Sequence, residues 1–248
     1  MYKFRKEITN YEYWVDYPYR RVNIKKFPGI YKKITGLDLP NNWKEPNLAY
    51  ITKAKLRKLV SLGFHPTENI SNDEYSYVGI ALPQVKNGLM LNGLKIAFKT
   101  RNKAGFIKWI DYTLPHGKYW EGAKFVPSGA LQSKANICLV DNLTDYFKLV
   151  GWIQCKRGIG IKKPIIIYIE KDPTDVIDIL RKTCYRFDTI IDLTHLDVYR
   201  TISEMGSREV RKLHVKRVVW FDNYIMDQCH SFLQFQDTLT WLGRCQKL

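Results

Sequence analysis

The second half of the chain alternates between short, largely apolar runs and segments with helical periodicity. Three apolar runs lie at residues 137–140, 165–169 and 189–193. Runs of this length without polar alternation are typical of parallel strands that are buried on both faces of a sheet. Between the second and third runs, residues 173–184 repeat apolar side chains at helical spacing. The pattern therefore predicts an α/β fold with one largely parallel sheet and flanking helices.

Glycines and capping residues set the predicted limits of other helices in this half. A helix over 144–150 is predicted to end at Gly151, and one over 196–205 at the glycine that follows it, because glycine readily adopts the conformation that closes helices. Ser207 is predicted to cap the next helix. Apolar and aromatic residues then recur at helical spacing, so residues 216–248 are predicted to form a helical tail.

The first half of the chain has short alternating segments and many Tyr, Trp, Lys, Gly and Pro residues. Alternation of apolar and polar positions predicts strands over 77–82, 89–98 and 105–112. An Asn-Gly pair at 87–88 is typical of the tight turn in a hairpin. One early helix is predicted over 52–62. A mixed, β-rich domain is therefore expected ahead of the α/β domain.

These changes along the chain divide it into four predicted parts, and no internal repeat is visible. Residues 1–50 form a basic aromatic arm, and 51–130 form the β-rich core. Residues 131–215 form the α/β subdomain, and 216–248 form the helical tail.

Positive charge is the second strong feature of the sequence. The 40 Lys and Arg residues exceed the 24 Asp and Glu residues, which gives a net charge of +16 and a pI near 9.5. Hydrophobic residues make up 45% of the chain, so this charge belongs to a folded protein rather than to a disordered tail. An ordered, basic protein rich in aromatic residues most often meets phosphate, and DNA or RNA is the expected partner.

Cysteine spacing and hydropathy argue against several other classes of protein. The five cysteines include no C-x-x-C pair, which disfavours a zinc ribbon or finger and fits a reducing compartment. No run of about 18 apolar residues occurs, and the first residues are charged and aromatic rather than apolar. We therefore expect a cytoplasmic protein without a signal peptide or a membrane span.

Basic residues and tyrosines alternate near the start of the chain. Arg20, Arg21, Lys25 and Lys26 lie close in sequence to several tyrosines. Such a combination can neutralise a nucleic-acid backbone while the rings stack on bases. An ordinary solvated surface is the alternative interpretation of this arm.

Acidic residues follow the first two apolar runs. Asp141 comes directly after the first run, with Asp145 one helical turn later, and Glu170 and Asp172 follow the second run. Because the carboxyl ends of parallel strands meet at one edge of a sheet, these four side chains are predicted to bind Mg²⁺ or Mn²⁺. Each also has a structural interpretation, since carboxylates favour helix beginnings and Asp172 is an ordinary N-cap before Pro173.

The motifs of the α/β region resemble those of the Toprim-containing DNA primases of bacteria, phages and plasmids. Residues 137–145, Ile-Cys-Leu-Val-Asp-Asn-Leu-Thr-Asp, are similar to the family's first Toprim motif. Residues 166–172, Ile-Ile-Tyr-Ile-Glu-Lys-Asp, resemble the strand that bears its Asp-x-Asp, and 196–206 resembles the segment that closes its domain. Upstream, 78–101 resembles a strand with a proline, a hairpin and an Arg-ended strand, and 117–119 contains a Lys-Tyr pair that the family places near incoming nucleotide.

The resemblance implies a Toprim-like α/β subdomain and template-directed primer synthesis by metal-dependent phosphoryl transfer. Asp141, Glu170 and Asp172 would then be the catalytic residues that hold Mg²⁺ or Mn²⁺. The residues implied to neutralise nucleotide or nucleic-acid phosphates are Arg101, Lys118 and Lys124. A replicative helicase would be a partner on a separate chain, because no Walker-type motif follows the core.

Departures from the family pattern keep two other functions open. The family's catalytic Glu is Asp141 here, its Gly is Asn142, and the first Asp of its pair is Glu170. One alternative is a catalytically degenerate Toprim-like protein that binds nucleic acid or supports assembly, and the other is a metal-dependent Toprim nuclease. Convergence of Asp141, Glu170 and Asp172 on an open surface would favour an enzyme, whereas scattered carboxylates would favour binding.

Overall fold

The computed structural model describes most of the chain between residues 27 and 229. The described ranges are 27–39, 49–50, 53–61, 64–86, 90–113, 125–127, 134–154, 164–169, 172–182, 186–221 and 224–229, with residues 234 and 237. Described residues up to 38 and from 49 to 126 form one compact unit, and the remainder form a second unit.

The first unit is built on an antiparallel sheet. Its helices are α1 (Phe27–Thr35) and α2 (Lys53–Ser61). Its strands are β1 (Ala49–Tyr50), β2 (His65–Pro66), β3 (Tyr75–Lys86), β4 (Met90–Thr100), β5 (Ile107–Thr113) and β6 (Phe125–Pro127). β3, β4 and β5 pair in that order, β1 and β6 also pair with β3, and β2 pairs with β5.

The hairpin of β3 and β4 follows from the alternating pattern of the sequence. Lys86 pairs with Met90, so the two strands meet beside the Asn-Gly pair, which itself lies outside the described residues. The three predicted strands and the helix predicted over 52–62 are confirmed, with small shifts of their ends. Burial of apolar side chains from these strands gives the unit its core. The core residues are Phe64, Ala81, Leu94, Ile96, Phe98, Ile110 and Tyr112.

One buried ion pair lies within this sheet. Lys95 of β4 and Asp111 of β5 stand opposite each other in register, and Lys95 Nζ lies 2.9 Å from Asp111 Oδ1. The side chain of Lys95 is 4% exposed and that of Asp111 is 18% exposed. Away from water each charge needs its partner, so this pair is sensitive to loss of either member.

The second unit is built on a parallel sheet. Its strands are β7 (Asn136–Val140), β8 (Ile165–Ile169), β9 (Phe187–Asp192) and β10 (Val215–Trp220). Its helices are α3 (Leu143–Gln154), α4 (Pro173–Lys182), α5 (Val198–Ser203), α6 (Ser207–Arg211) and α7 (Tyr224–Gln228). The strand order is β8, β7, β9, β10, and each neighbouring pair is parallel.

The three apolar runs of the sequence are confirmed as adjacent parallel strands. Every residue of β8 is buried, as are four of the five residues of β7. Because neither face of these strands meets water, their sequences lack polar alternation. The α/β class predicted from this pattern is therefore observed in the second unit, whereas the first unit is built on an antiparallel sheet.

The strand order creates a topological switch point. The chain passes from β7 to β8 on one side and then returns across β7 to β9 on the other. The connection after β7 leads to β8 on one side, and the connection after β9 leads to β10 on the other, so the order of the sheet reverses between β7 and β9. The crevice at the carboxyl ends of two such strands is where ligands bind in open α/β sheets.

Local predictions fail where packing or pairing outweighs the sequence signal. α3 passes through Gly151 to Gln154, because Val150, Gly151 and Trp152 are all buried and packing offsets the low helix propensity of glycine. Residues 215–220, predicted as the beginning of a helical tail, form β10 instead. Their three valines and one tryptophan favour a pleated strand, and β9 supplies the pairing partner.

Two further differences concern helix ends and the basic arm. Gly206 is the N-cap of α6, with extended backbone angles, and Ser207, predicted as the cap, is the first residue of that helix. α1 is a helix within the predicted arm of 1–50, where Ile30 and Tyr31 are buried. The aromatic and basic composition of that segment hid its short apolar face. None of the described helices is long and apolar enough to cross a bilayer.

The buried ion pair generates a stability prediction. Asp111→Asn removes the carboxylate that lies 2.9 Å from the buried Lys95 ammonium, and we expect a loss of about 3 kcal/mol in the free energy of unfolding. The matched control is Lys216→Met, which breaks the exposed pair of Lys216 and Asp188 and should cost less than about 1 kcal/mol. Urea denaturation measures both. Equal losses in the two variants would contradict the prediction.

Candidate functional site

The topological switch point brings two carboxylates to the same edge of the parallel sheet. Asp141 follows β7 directly, and Asp192 is the last residue of β9. Leu139 and Asp192 are aligned in register on these adjacent strands. The sequence predicts the acidic site at the ends of β7 and β8. In the structure, the order of the sheet reverses between β7 and β9, so the crevice lies at the ends of those two strands.

Asp192 is fully buried, and three donors hold its carboxylate. Thr194 donates to Oδ1 through its backbone N–H at 3.1 Å and through its hydroxyl at 2.7 Å. The backbone N–H of Tyr199 donates to Oδ2 at 2.9 Å. The Asp192 carbonyl also accepts from the N–H of Phe221 at 3.0 Å. Both carboxylate oxygens are thus used within the protein, where they fix the segment between β9 and α5.

Asp141 is held by a residue of that same segment. Its Oδ2 accepts the backbone N–H of His195 at 2.6 Å and lies 2.9 Å from His195 Nδ1. The Asp141 side chain is 10% exposed, whereas the His195 ring is 67% exposed. Asp141 therefore ties the end of β7 to the loop that Asp192 orders, and it presents a histidine to solvent at the switch point.

Asp145 completes the beginning of α3. Asn142 Oδ1 accepts the Asp145 backbone N–H at 2.8 Å, and Asn142 Nδ2 donates in return to Asp145 Oδ2. The pair resembles a capping box, because the side chains of two residues three positions apart form reciprocal hydrogen bonds at the beginning of a helix. Asp145 is buried, so its carboxylate serves the helix end.

Burial dominates the electrostatics of this edge. It raises the pKa of Asp192 and the pKa of Asp145, the nearby charge of Asp141 raises both further, and the hydrogen bonds that each carboxylate accepts act in the opposite direction. Burial also raises the pKa of the Cys138 thiol in β7, with Asp192 and Asp145 adding to the effect. The edge therefore disfavours additional negative charge.

Of the remaining predicted residues, two are described. Asp172 is exposed, and its Oδ1 accepts the Thr174 backbone N–H at 2.8 Å. Hydrogen bonds from Thr174 lower the pKa of Asp172, as expected for an N-cap of α4. Arg101 is exposed and donates from Nε to the carbonyl of Tyr75 at 3.3 Å. The predicted residues outside the described ranges are Arg20, Arg21, Lys25, Lys26, Lys118, Lys124 and Glu170.

No metal centre is formed by the described acidic residues. Within the described ranges, no three His, Cys, Asp or Glu side chains are placed to hold a metal ion. Mg²⁺ binds one or two carboxylates and keeps several waters; among the described carboxylates, Asp145 is buried beside Asn142 and Asp172 caps α4. Binding of Mg²⁺ or Mn²⁺ by Asp141, Asp145, Glu170 and Asp172 stays a prediction.

Sequence analysis missed Asp192 and His195. A signal was present, because Asp192 is the one charged residue within the apolar run of 189–193. Its burial could not be foreseen without knowing that β9 lies beside β7 rather than beside β8. The contact of His195 with Asp141 depends on the fold, which brings the loop after β9 to the end of β7.

A second charged feature of the α/β unit is a surface concavity of about 590 Å³. It is lined by Arg181, Glu209, Arg211, Lys212 and His214. Glu209 lies 2.9 Å from Arg181 Nη2 and 2.6 Å from Lys212 Nζ, and the hydrogen bond and charge of Lys212 lower the pKa of Glu209. Three cations against one carboxylate leave this concavity positive, as a phosphate contact requires.

Substitution of two aspartates distinguishes a buried carboxylate that stabilises the fold from an exposed one that caps a helix. In Asp192→Asn an amide NH₂ must face at least one of the three donors, so we expect a loss of about 1–3 kcal/mol in the free energy of unfolding. Asp172→Asn is the control, because asparagine caps helices about as well as aspartate. Its effect should stay within about 0.5 kcal/mol. Chemical denaturation measures both, and an Asp192→Asn variant as stable as wild type would contradict the assignment.

The pH dependence of stability tests the burial of the same carboxyl. Because the pKa of Asp192 lies above its ordinary 3.8 in the folded protein, the folded state binds this proton more tightly than the unfolded chain. Stability should therefore fall as pH rises from the ordinary pKa to the raised one. The Asp192→Asn variant has no carboxyl group to titrate at this position, so the decrease in stability that comes from Asp192 should be absent in it. A difference between wild type and variant that stays constant from about pH 3 to 7 would contradict the expected linkage.

Comparisons with known proteins give one structural similarity. No model of a protein family matches the chain, and no curated protein matches it. One similar chain comes from a structure of the bacteriophage T7 lagging-strand DNA polymerase interacting with primase domains of two gp4 subunits bound to an RNA/DNA hybrid and dTTP. The TM-score is 0.30 at 13% identity, and the alignment covers 73% of this chain and 85% of that chain.

Proposed function

We propose that this chain is a primase-like protein that binds nucleic acid, with a Toprim-like α/β unit whose acidic edge is structural rather than catalytic. The observation that carries the proposal is the state of the carboxylates at the switch point. Asp192 is saturated by internal donors, and Asp141 is held by His195 through one of its oxygens. These contacts organise the crevice, and no three His, Cys, Asp or Glu side chains among the described residues are placed to hold a metal ion.

Charge supports the nucleic-acid part of the proposal. The net charge of +16 is spread over both units, and the concavity beside Glu209 carries an excess of cations. Lys and Arg side chains that contact phosphates release condensed counterions, which gives affinity without sequence preference. The inward-turned carboxylates of the α/β unit add little repulsion to an approaching backbone.

Metal-dependent nucleotidyl transfer is the second candidate function. The observation that favours it is the position of Asp141 and Asp172 at the carboxyl ends of the adjacent parallel strands β7 and β8. Glu170 lies between them in sequence and would have to complete such a site. The motif resemblance to the Toprim primases supports this candidate.

Salt dependence tests the binding proposal. Affinity for a labelled single-stranded oligonucleotide should fall steeply as salt rises, and charge reversal at Arg20, Arg21, Lys25 and Lys26 should weaken it for all sequences, since phosphate contacts carry no sequence information. The matched control reverses four exposed arginines of the α/β unit with the same change of net charge. These are Arg186, Arg200, Arg208 and Arg217. Fluorescence anisotropy measures each affinity.

Three outcomes decide between the candidates. Salt-sensitive binding without nucleotide incorporation, on a single-stranded template with Mg²⁺ or Mn²⁺, supports the binding function. Template-directed incorporation that is abolished by Asp172→Asn, at unchanged melting temperature, would establish the enzyme instead. Affinity that is flat between low and moderate salt would contradict nucleic-acid binding altogether.

A further inference from the structure

The turn between β4 and β5 is tightly ordered. The N–H of Thr100 donates to the carbonyl of Phe106 at 2.9 Å, and the N–H of Gly105 donates to the Asn102 carbonyl at 3.1 Å and to its side-chain oxygen at 3.0 Å. Gly105 is buried and has φ +56°, a left-handed angle that glycine adopts without strain. The turn is therefore a fixed platform for the side chains around it.

Two lysines from different elements converge on this glycine. Lys33 of α1 donates from Nζ to the Gly105 carbonyl at 3.1 Å. Its Nζ lies 2.8 Å, and that of Lys99 lies 3.5 Å, from the point where a Cβ on Gly105 would stand. Within the described residues neither lysine forms an ion pair. Two ammonium groups held this close repel each other, and an anion between them would relieve the repulsion.

Phe106 follows Gly105 directly in sequence and is 67% exposed. Arg101 and Lys103 are exposed on the same turn. The carboxylate of Glu68 in the same unit is engaged by Lys108. An apolar ring that is exposed to water on a turn with several cations is suited to a ligand that has both a flat face and a negative charge.

We propose that this turn is a binding site for single-stranded nucleic acid, in which Phe106 stacks on a base while Lys33 and Lys99 contact the adjacent phosphate. The site rests on the proposed nucleic-acid function and locates one contact of it. Unstacked bases have exposed faces for aromatic rings, and their backbone follows positive charge. In a duplex the bases are already stacked on each other, so duplex should bind here more weakly.

The stacking contact is tested by substituting Phe106 and by removing the bases from the oligonucleotide. Phe106→Ala and Phe106→Leu should each weaken binding of a labelled oligothymidylate by about tenfold, because leucine keeps the apolar bulk but has no ring. Phe106→Trp, which keeps an aromatic ring, should bind the oligonucleotide about as tightly as wild type. On an abasic oligonucleotide of the same length, Phe106→Ala should make no difference. The control Tyr199→Ala removes an exposed ring of the α/β unit and should bind as wild type.

The lysine contact is tested by the salt dependence of affinity. The double variant Lys33→Gln/Lys99→Gln should make the slope of log K against log salt shallower by about 0.7, since the two lysines share one phosphate and each neutralised phosphate on a single strand contributes about 0.7. Arg208→Gln/Arg217→Gln removes the same net charge from exposed positions of the α/β unit. It should leave the slope within error of wild type.

The outcomes distinguish this site from the wider function. If wild-type protein binds the oligonucleotide but the Phe106 variants bind equally well, the site is overturned while nucleic-acid binding stands. The same holds if the lysine pair and the arginine pair change the slope equally, because affinity then follows net charge alone. If wild type fails to bind any oligonucleotide, both proposals fall. Thermal melting checks that the Phe106 variants fold, which is expected because the ring is mostly exposed.

Discussion

The buried carboxylate of Asp192 is the constraint on which the crevice of the α/β unit depends. It stands at the end of β9, where the order of the sheet reverses, and Thr194 and Tyr199 converge on its two oxygens. Those bonds shape the segment that leads into α5. Because His195 belongs to that segment, its contact with Asp141 depends on Asp192 as well.

This arrangement changes what the acidic residues can do. A carboxylate that accepts three internal hydrogen bonds is a structural group, because most of its lone pairs are already used and a ligand would have to compete with these donors. The Asp145 carboxylate is also buried, and it accepts a hydrogen bond from Asn142 Nδ2 at the beginning of α3. The carboxylates of Asp145 and Asp192 are thus directed inward, whereas Phe106 and several lysines and arginines are exposed on the described surface.

The sequence predicts strongly where burial alone decides the pattern. The runs that became β7, β8 and β9 are apolar because both faces of the sheet are covered, and that signal is local. Strand order is not local, so the neighbour relation of β7 and β9, and with it the role of Asp192, could not be read from spacing. Gly151 shows the same limit, since only tertiary burial explains why α3 continues through it.

The most direct test of the structural role of this edge is an NMR titration with Mn²⁺, observed at the backbone amides of Thr194 and His195. A paramagnetic ion bound at the switch point would broaden these signals at concentrations equal to that of the protein. We expect both amides to keep their intensity at such concentrations, because the carboxylates beside them are already occupied by internal donors. Selective loss of these two signals would show a metal site at the switch point and contradict the account.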